Sequence, residues 1–338
     1  MVPRRADERH DGIVSNVEAN SVEKRCESRP GGEGIEVLSA REVPLGGPRA
    51  MPVRRTLPQR DRSLIGAWCF ADHYGPDDVG LTGGMNVPPH PHTGLQTVSW
   101  LFTGEIEHRD SIGSHAMVRP GELNLMTAGR GIAHSEVSTP ETHILHGAQL
   151  WVALPASAQD APPAFDTYAP EPVELDGATV RVFLGTTAGS TSPVRTFSPL
   201  LGAEVLLDPG ADVTFDIEPG FEVGVLVDEG DVRLRGTPLK WAELGYQPPG
   251  SSVVALRNTG ETRARLLLLG GEPLGEQVIM WWNFLGRSHD DIVGYRRDWQ
   301  SEIRGSGSAD YRFGTVEGYD GSALPAPELP NSRLKPRG

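Results

Sequence analysis

The stretches PPHPHTGLQTVSWLFTGEIEHRDSIGS (88–114) and RPGELNLMTAGRGIAHSE (119–136) decide how this chain folds. Both alternate short apolar runs with Gly, Pro and Asp, which is typical of β-strands rather than of helices. The same rhythm continues outward through AQLWVALP (148–155) and resumes from VRVFLG (180–185) to RARLLLLGG (263–271). With 41 glycines and 29 prolines among 338 residues, turns are frequent. The sequence therefore predicts an all-β protein with a few short helices.

One β-unit is repeated along the chain. Residues 90–104 align without a gap on residues 216–230, and Gly94 then meets Gly220. The repeat predicts two similar antiparallel β-barrels in tandem. The predicted domains are a disordered N-terminal tail (1–34), a first barrel with the metal site (35–155), a linker (156–179), a second barrel with a C-terminal helical segment (180–303) and an extended C-terminal tail (304–338).

The composition argues against several classes of function. A net charge of −14 disfavours direct binding to nucleic acid. No apolar run approaches the roughly 20 residues that a membrane-spanning helix needs, and the N-terminus lacks the apolar stretch of a secretory signal. The two cysteines, Cys26 and Cys69, do not have the spacing of a metal site. We therefore expect two free thiols and a cytoplasmic location.

Seven of the ten histidines lie between residues 90 and 146. His90 and His92 are two positions apart, as are His134 and Glu136, and residues i and i+2 of a strand point to one face. Two neighbouring strands can thus aim all four side chains at one point. Three imidazoles and a carboxylate suit a divalent metal such as Fe, Mn, Ni, Cu or Zn. Four ligands around an octahedral ion leave positions open for substrate or dioxygen.

Five further histidines, four of this region and His73 before it, are expected to have other roles. His108 and His115 lie in a hairpin-like segment, where they suit either an exposed position or a position behind the metal ligands. His73, in the run ADHYGPDD, is expected in a loop. His143 and His146 flank a predicted turn and are not expected to be ligands.

The two stretches quoted first closely resemble the signature of the pirin family, within the cupin superfamily. The resemblance is tightest over about 45 residues, and the order of the rest agrees with it through QLWVALP (149–155) and LLLGGEPLGE (267–276). It implies a bicupin, which has two antiparallel cupin barrels and one iron in the N-terminal barrel. Gln96 departs from the family pattern, which has Glu at a position that is not a ligand. By motif, the implied iron ligands are His90, His92, His134 and Glu136.

The resemblance implies two alternative functions. The first is a quercetin 2,3-dioxygenase-like oxidoreductase, in which one Fe(II) per chain acts on a flavonol or a related aromatic enediol with dioxygen. Glu136 would then be the catalytic base, because it can accept the substrate proton while it binds the metal. The second is an iron-dependent, redox-sensing protein that meets a protein partner without turnover. An open, partly apolar cavity that reaches the metal would favour the enzyme.

The rest of the chain is predicted to contribute no metal ligand. The aligned counterparts of the four predicted ligands are Asp216, Glu218, Ala255 and Arg257. Arg257 would place a cation where a ligand should be, and a cation repels a divalent metal. We therefore predict a metal-free second barrel. Residues 1–34 and 312–338 offer no candidate ligand except His10, so both tails are predicted to be dispensable for the metal.

Overall fold

The computed structural model describes residues 28–31, 34–44, 51–305 and 311–338, so Cys26 and His10 lie outside the described residues. The two α-helices of this part are α1 (Val79–Thr82) and α2 (His289–Glu302). No helix in these ranges is long and apolar enough to cross a membrane. The strands are β1 (Ser28–Pro30), β2 (Glu36–Leu38), β3 (Arg41–Pro44), β4 (Pro52–Leu57), β5 (Trp68–Asp78), β6 (Asn86–His92), β7 (Leu95–Thr103), β8 (Ile106–Asp110), β9 (His115–Val118), β10 (Leu123–Thr127), β11 (Ile132–Ser138), β12 (Ile144–Ala153), β13 (Ala164–Tyr168), β14 (Val173–Leu175), β15 (Ala178–Leu184), β16 (Thr186–Thr187), β17 (Ser190–Thr191), β18 (Leu200–Leu207), β19 (Asp212–Asp216), β20 (Glu222–Glu229), β21 (Val232–Leu234), β22 (Thr237–Leu239), β23 (Leu244–Gln247), β24 (Val253–Asn258), β25 (Ala264–Gly271), β26 (Ile279–Trp281) and β27 (Phe284–Gly286).

The strands form two barrels of the same design, which confirms the predicted all-β, two-barrel fold. In the first barrel a seven-stranded sheet, β13-β10-β7-β12-β5-β4-β3, faces a four-stranded sheet, β6-β11-β8-β9. In the second barrel an eight-stranded sheet, β1-β2-β23-β20-β25-β18-β15-β14, faces the four-stranded sheet β19-β24-β21-β22. The two four-stranded sheets have equivalent strand orders, as the sequence repeat predicts. All the pairings within these sheets are antiparallel.

The two large sheets pack back to back. Side chains on their outer faces form one apolar core between the barrels, in which Trp68, Trp100 and Leu150 of the first barrel accompany Leu226 and Leu267 of the second. The central strands of each large sheet are therefore buried on both faces. This explains why a strand such as β25 (ARLLLLGG) is almost continuously apolar rather than alternating. The large buried area fixes the first barrel firmly against the second.

The course of the chain differs from the predicted domain boundaries at both ends of the first barrel. Strand β2, which the prediction assigned to the first barrel, pairs with β23 in the second. The predicted linker contains β13, which pairs with β10 of the first barrel, and β14, which pairs with β15 of the second. Short terminal strands can join either sheet, because edge strands have unpaired backbone groups that accept a further strand.

The segment after the second barrel returns to the first. Helix α2 begins at a capping box made by Ser288 and Asp291 and buries Trp299. Its apolar face packs with Phe313 of the C-terminal segment and with Ala133 of β11. The helical segment predicted as part of the second barrel therefore covers the metal-site side of the first. The C-terminal residues from 311 onward lack regular secondary structure, and Phe313, Val316 and Ala326 among them are buried.

Candidate metal centre

Strands β6 and β11 bring the four predicted ligands together. The strands are adjacent and antiparallel, and His134 lies directly opposite His90. The ring centroids of His90 and His134 are 4.3 Å apart, and that of His92 is 5.0 Å from each of them. Gly129, at φ 51°, makes the turn that leads into β11, where a Cβ would strike the carbonyl oxygen of Ala161.

Hydrogen bonds orient His90 and His92 so that each keeps a free ring nitrogen. Nδ1 of His90 is 2.9 Å from the carbonyl oxygen of Pro88, and Nδ1 of His92 is 3.1 Å from that of Asn283. A carbonyl can only accept, so each Nδ1 carries the hydrogen and each Nε2 keeps a lone pair. Burial lowers the pKa of His90 to about 4 and that of His92 well below its ordinary value. Both rings are therefore neutral near pH 7, as metal binding requires.

The ring of His134 has one nitrogen that nothing in the described part of the chain satisfies. Its Nε2 is buried without a hydrogen-bond partner, although buried polar atoms are normally paired. Its Nδ1 lies 3.4 Å from Nδ1 of His108, whose Nε2 lies 3.3 Å from Oδ2 of Asp110. Burial lowers the pKa of His134 well below its usual value. An orphaned, neutral nitrogen beside two others fits a metal ion.

Glu136 completes the set from the same strand as His134. The potential ligand atoms of Glu136, His134 and His108 lie within 4.8 Å of one another, as do those of His90, His92 and His134. The two trios share His134. Burial raises the pKa of the Glu136 carboxyl, whose Oε1 lies 3.2 Å from the hydroxyl of Ser99. The two overlapping trios thus contain every predicted ligand. They add His108, which contacts His134 through Nδ1.

A polar row runs across the inner face of the seven-stranded sheet and includes Ser99, which contacts Glu136. Its members lie directly opposite one another on successive strands, although each flanking row is largely apolar. The Ser99 hydroxyl is also 2.9 Å from Oε1 of Gln149. In the order of the strands from β3 to β13, the polar row consists of Arg41, Arg55, Asp72, Gln149, Ser99, Asn124 and Thr167.

The other histidines lie partly where the sequence predicts them. His115 is exposed and pairs with Glu107 at 2.8 Å, and His143 lies in the turn before β12. The prediction of a loop position for His73 is wrong, because His73 lies within β5 and is buried. His146 is also buried, on β12. Their burial follows from the second barrel, which covers this face of the sheet.

Sequence reasoning missed a second cluster, in which His73 and His146 meet Asp228 of the second barrel. Nε2 of each histidine lies 2.6 Å from Oδ1 of Asp228, and Oδ2 accepts from Arg265 at 3.1 Å. Burial lowers the pKa of His73. Nε of Arg54 donates to Nδ1 of His73 at 3.1 Å, so the hydrogen of this ring is on Nε2. That nitrogen donates to the carboxylate, which is unlike the free Nε2 atoms of His90 and His92.

The interior of the second barrel is apolar. Phe215 of β19 and Val254 and Leu256 of β24 fill it, and they belong to a large buried cluster. Arg257 points outward and is exposed, so the prediction that it places a cation at the position of a metal ligand is wrong. Its inward-facing neighbours are hydrocarbon side chains without ligand atoms. The absence of ligand atoms on these inward-facing side chains supports a metal-free second barrel, which stays a prediction.

Gln96, where the chain departs from the family pattern, is buried on β7. Its Nε2 donates to the hydroxyl of Thr127 at 2.9 Å. An amide at this position needs no cation to neutralise it, since it carries no charge. The substitution therefore leaves no uncompensated charge at this buried position.

A cavity of about 560 Å³ opens onto the candidate metal centre. His90, His92 and Glu136 lie at its buried end, and the stacked rings of Phe70 and Trp151, 4.1 Å apart, form one wall. The cavity is also lined by residues that follow the second barrel in sequence. They are Met280, Trp282 and Asn283 of the β26–β27 hairpin, and Leu324, Pro325 and Pro327 of the C-terminal segment.

Comparison with known proteins places this arrangement in a family. A family model described as Pirin matches residues 50–152, and one described as Pirin C-terminal cupin domain matches residues 202–304. A Pseudomonas aeruginosa protein provisionally named quercetin 2,3-dioxygenase is 40% identical over 319 residues, which are 92% of this chain and 98% of its own. The chain belongs to the pirin family. Each of the two pirin domains corresponds to one of the barrels described above.

Two further relatives, one a solved structure and one a sequence match, support the family assignment. The crystal structure of a quercetin 2,3-dioxygenase from Acinetobacter baumannii is 35% identical, covers 89% of this chain and 97% of its own, and superposes with a TM-score of 0.82. Human pirin is 33% identical over 268 residues, which are 76% of this chain and 88% of its own. The pirin-family bicupin fold expected from the two quoted stretches is thus confirmed.

Proposed function

We propose that this pirin-family protein is a non-haem Fe(II) dioxygenase that acts on a flavonol or a related aromatic enediol. The observation that carries the proposal is the cavity, which joins the candidate ligands to an aromatic wall. Its volume is in the range of small-molecule sites. A redox-sensing protein without turnover needs no such cavity, so the cavity favours the enzyme. The similarity to proteins named quercetin 2,3-dioxygenase supports the same choice.

The residues of the chain divide the work in this proposal. His90, His92, His134 and Glu136 hold one ion per chain. When bound, a divalent metal supplies Lewis acidity that lowers the pKa of a substrate hydroxyl, and it has coordination positions open to substrate and dioxygen. The Glu136 carboxyl, which lies at the buried end of the cavity, takes the hydroxyl proton.

The cavity walls orient the substrate and exclude water. Phe70 and Trp151 present stacked rings to the cavity, and Trp282 also lines it. Planar aromatic ligands pack well against such rings. The Ser99 hydroxyl lies 3.2 Å from Oε1 of Glu136 and can donate to the ionised carboxylate or accept from the protonated carboxyl, so the carboxyl keeps its position while it holds or loses a proton. The cytoplasmic location expected from the sequence stays a prediction.

The test compares two substitutions by metal content and by oxygen uptake with flavonols. Glu136→Gln keeps an oxygen that can touch the metal but loses the charge, so metal affinity should fall roughly 10–100-fold. Activity per bound iron should fall further, by about 10²–10⁴-fold, because the base is lost. His92→Ala should reduce iron and activity together. If Glu136→Gln keeps full activity per bound iron, Glu136 is not the catalytic base. If the iron-loaded wild type consumes no oxygen with any flavonol, the proposed dioxygenase activity is contradicted.

A further inference from the structure

The polar row carries two arginines that face each other on neighbouring strands. Arg41 of β3 and Arg55 of β4 are direct cross-strand partners, and both line the cavity. Like charges directly opposite each other destabilise a sheet unless something offsets them. Such an arrangement at the wall of a ligand cavity calls for an anion.

Asp72 offsets one of the two positive charges. Arg55 donates to both carboxylate oxygens of Asp72 at 2.7 Å, and its guanidinium stacks over the Phe70 ring at 4.3 Å. Two guanidinium groups therefore share one carboxylate across β3, β4 and β5. The row retains one positive charge.

That remaining charge belongs to Arg41. Its Nε is buried and has no hydrogen-bond partner among the described residues. Asp72, the single carboxylate of the row, already accepts two parallel hydrogen bonds from Arg55. Among the described residues that line the cavity, Glu136 alone carries a carboxylate, and it belongs to the candidate metal centre.

The cavity therefore offers three kinds of surface to one ligand. Its buried end has the candidate metal ligands, its middle has the Phe70–Trp151 stack, and its edge strand β3 has Arg41, near the exposed ring of Pro44. We propose that the substrate is an aromatic enediol or catechol that also carries a carboxylate, and that Arg41 binds this carboxylate. This inference rests on the proposed function, because the diol must meet the metal for the carboxylate to reach β3.

The test uses two ligands that differ in one charge. Caffeate and its methyl ester have the same catechol and nearly the same size, but only caffeate has a carboxylate. Calorimetry with Zn(II)-loaded protein measures binding without turnover. The wild type should bind caffeate about 10-fold more tightly than the ester, as a charge-assisted hydrogen bond to Arg implies.

Three variants locate the preference. Arg41→Gln should bind both ligands with the affinity of the ester, and Arg41→Lys should recover part of the preference. Arg257→Gln removes the same charge from an exposed position on the second barrel and should leave the preference intact. Zinc content is measured in each variant.

The outcomes separate this inference from the proposed function. Equal binding of the two ligands to the wild type, or a full caffeate preference in Arg41→Gln, overturns the role of Arg41 alone. If zinc is retained and neither ligand binds, the catechol does not reach the metal, and the proposed function fails together with the inference.

Discussion

At the scale of single residues, His134 connects the candidate metal centre to the interior of the first barrel. One nitrogen of its ring is free for a metal and the other faces His108, whose second nitrogen faces Asp110. Burial alone would raise the pKa of Asp110, but the hydrogen bond from His108 holds this pKa below its ordinary value. The anionic carboxylate fixes the hydrogen of His108 on Nε2. Nδ1 of His108 then accepts from His134, which leaves Nε2 of His134 as the ligand atom.

His108→Phe tests this chain of hydrogen bonds. Phe keeps an aromatic ring stacked on Phe165, whose centroid lies 4.4 Å from that of His108, but it cannot accept from His134. The metal affinity should fall roughly 10–100-fold, as for other losses of a group that orients a metal ligand. Competition with a chelator measures it.

His115→Phe is the matched control for this prediction. His115 is at the start of the neighbouring strand β9, but it is exposed and bonds to Glu107. The metal affinity of the His115→Phe variant should equal that of the wild type. Equal affinities for all three proteins would show that His108 does not orient His134.

At the scale of secondary-structure elements, the hairpin β26–β27 carries the first barrel's cavity wall although it follows the second barrel in sequence. The carbonyl oxygen of Asn283 in its turn accepts from His92, and Trp282 lines the cavity. The C-terminal segment supports the same side, since the backbone N–H of Leu324 donates to Pro89 at 2.8 Å, next to His90. That residues 312–338 are dispensable for the metal stays a prediction, but Leu324, Pro325 and Pro327 of this segment line the cavity.

Trp282→Ala tests the hairpin's role in ligand binding. The loss of an aromatic side chain from the wall should weaken binding of a flavonol about 10-fold, because apolar area is lost from the site. Metal affinity should not change, since the backbone carbonyl of Asn283 remains. Fluorescence titration of Zn(II)-loaded protein with a flavonol measures the first, and chelator competition the second.

Trp281→Ala provides the matched control. Trp281 is the neighbouring residue of the same hairpin and pairs with Phe284, but it is not among the residues that line the cavity. Its flavonol affinity should stay near that of the wild type. Equal weakening in both variants would mean that the hairpin as a whole has shifted.

At the scale of the whole molecule, the barrels are joined by an apolar core and by one buried ionic cluster. Asp228 reaches from the second barrel to His73 and His146 of the first, and Arg265 binds its other oxygen. Although burial alone would raise it, the hydrogen bonds from His146 and His73 hold the pKa of Asp228 below its ordinary value. Asp228 therefore stabilises the folded protein in its ionised form.

Asp228→Asn should lower the free energy of unfolding at pH 7 by about 3 kcal/mol. The substitution removes the carboxylate charge and leaves the buried groups that bind it without a charged acceptor. The sign of the pH dependence follows from the lowered pKa. The unfolded state takes up a proton on Asp228 before the folded state does, so the stabilisation is complete above about pH 5 and is lost progressively as the pH falls further. The difference between wild type and variant in urea unfolding should therefore shrink in acid.

Asp208→Asn is the control for this prediction. Asp208 pairs with Arg263 on the surface of the second barrel, where both side chains are about half exposed. Its loss should change the free energy of unfolding little, because exposed ion pairs contribute little. An equally small effect of Asp228→Asn would show that the cluster does not stabilise the contact between the barrels.

The local sequence is enough to predict the strands, the repeat and the four side chains of the candidate centre. Strand periodicity is a local property, so His90 and His92 had to share a face, as did His134 and Glu136. Tertiary structure decided what surrounds them: Asn283 behind His92, His108 behind His134 and Asp228 beside His73. These contacts join residues up to 191 positions apart. They depend on how barrels, hairpin and C-terminal segment pack, because distant segments meet only after the sheets have buried their apolar faces.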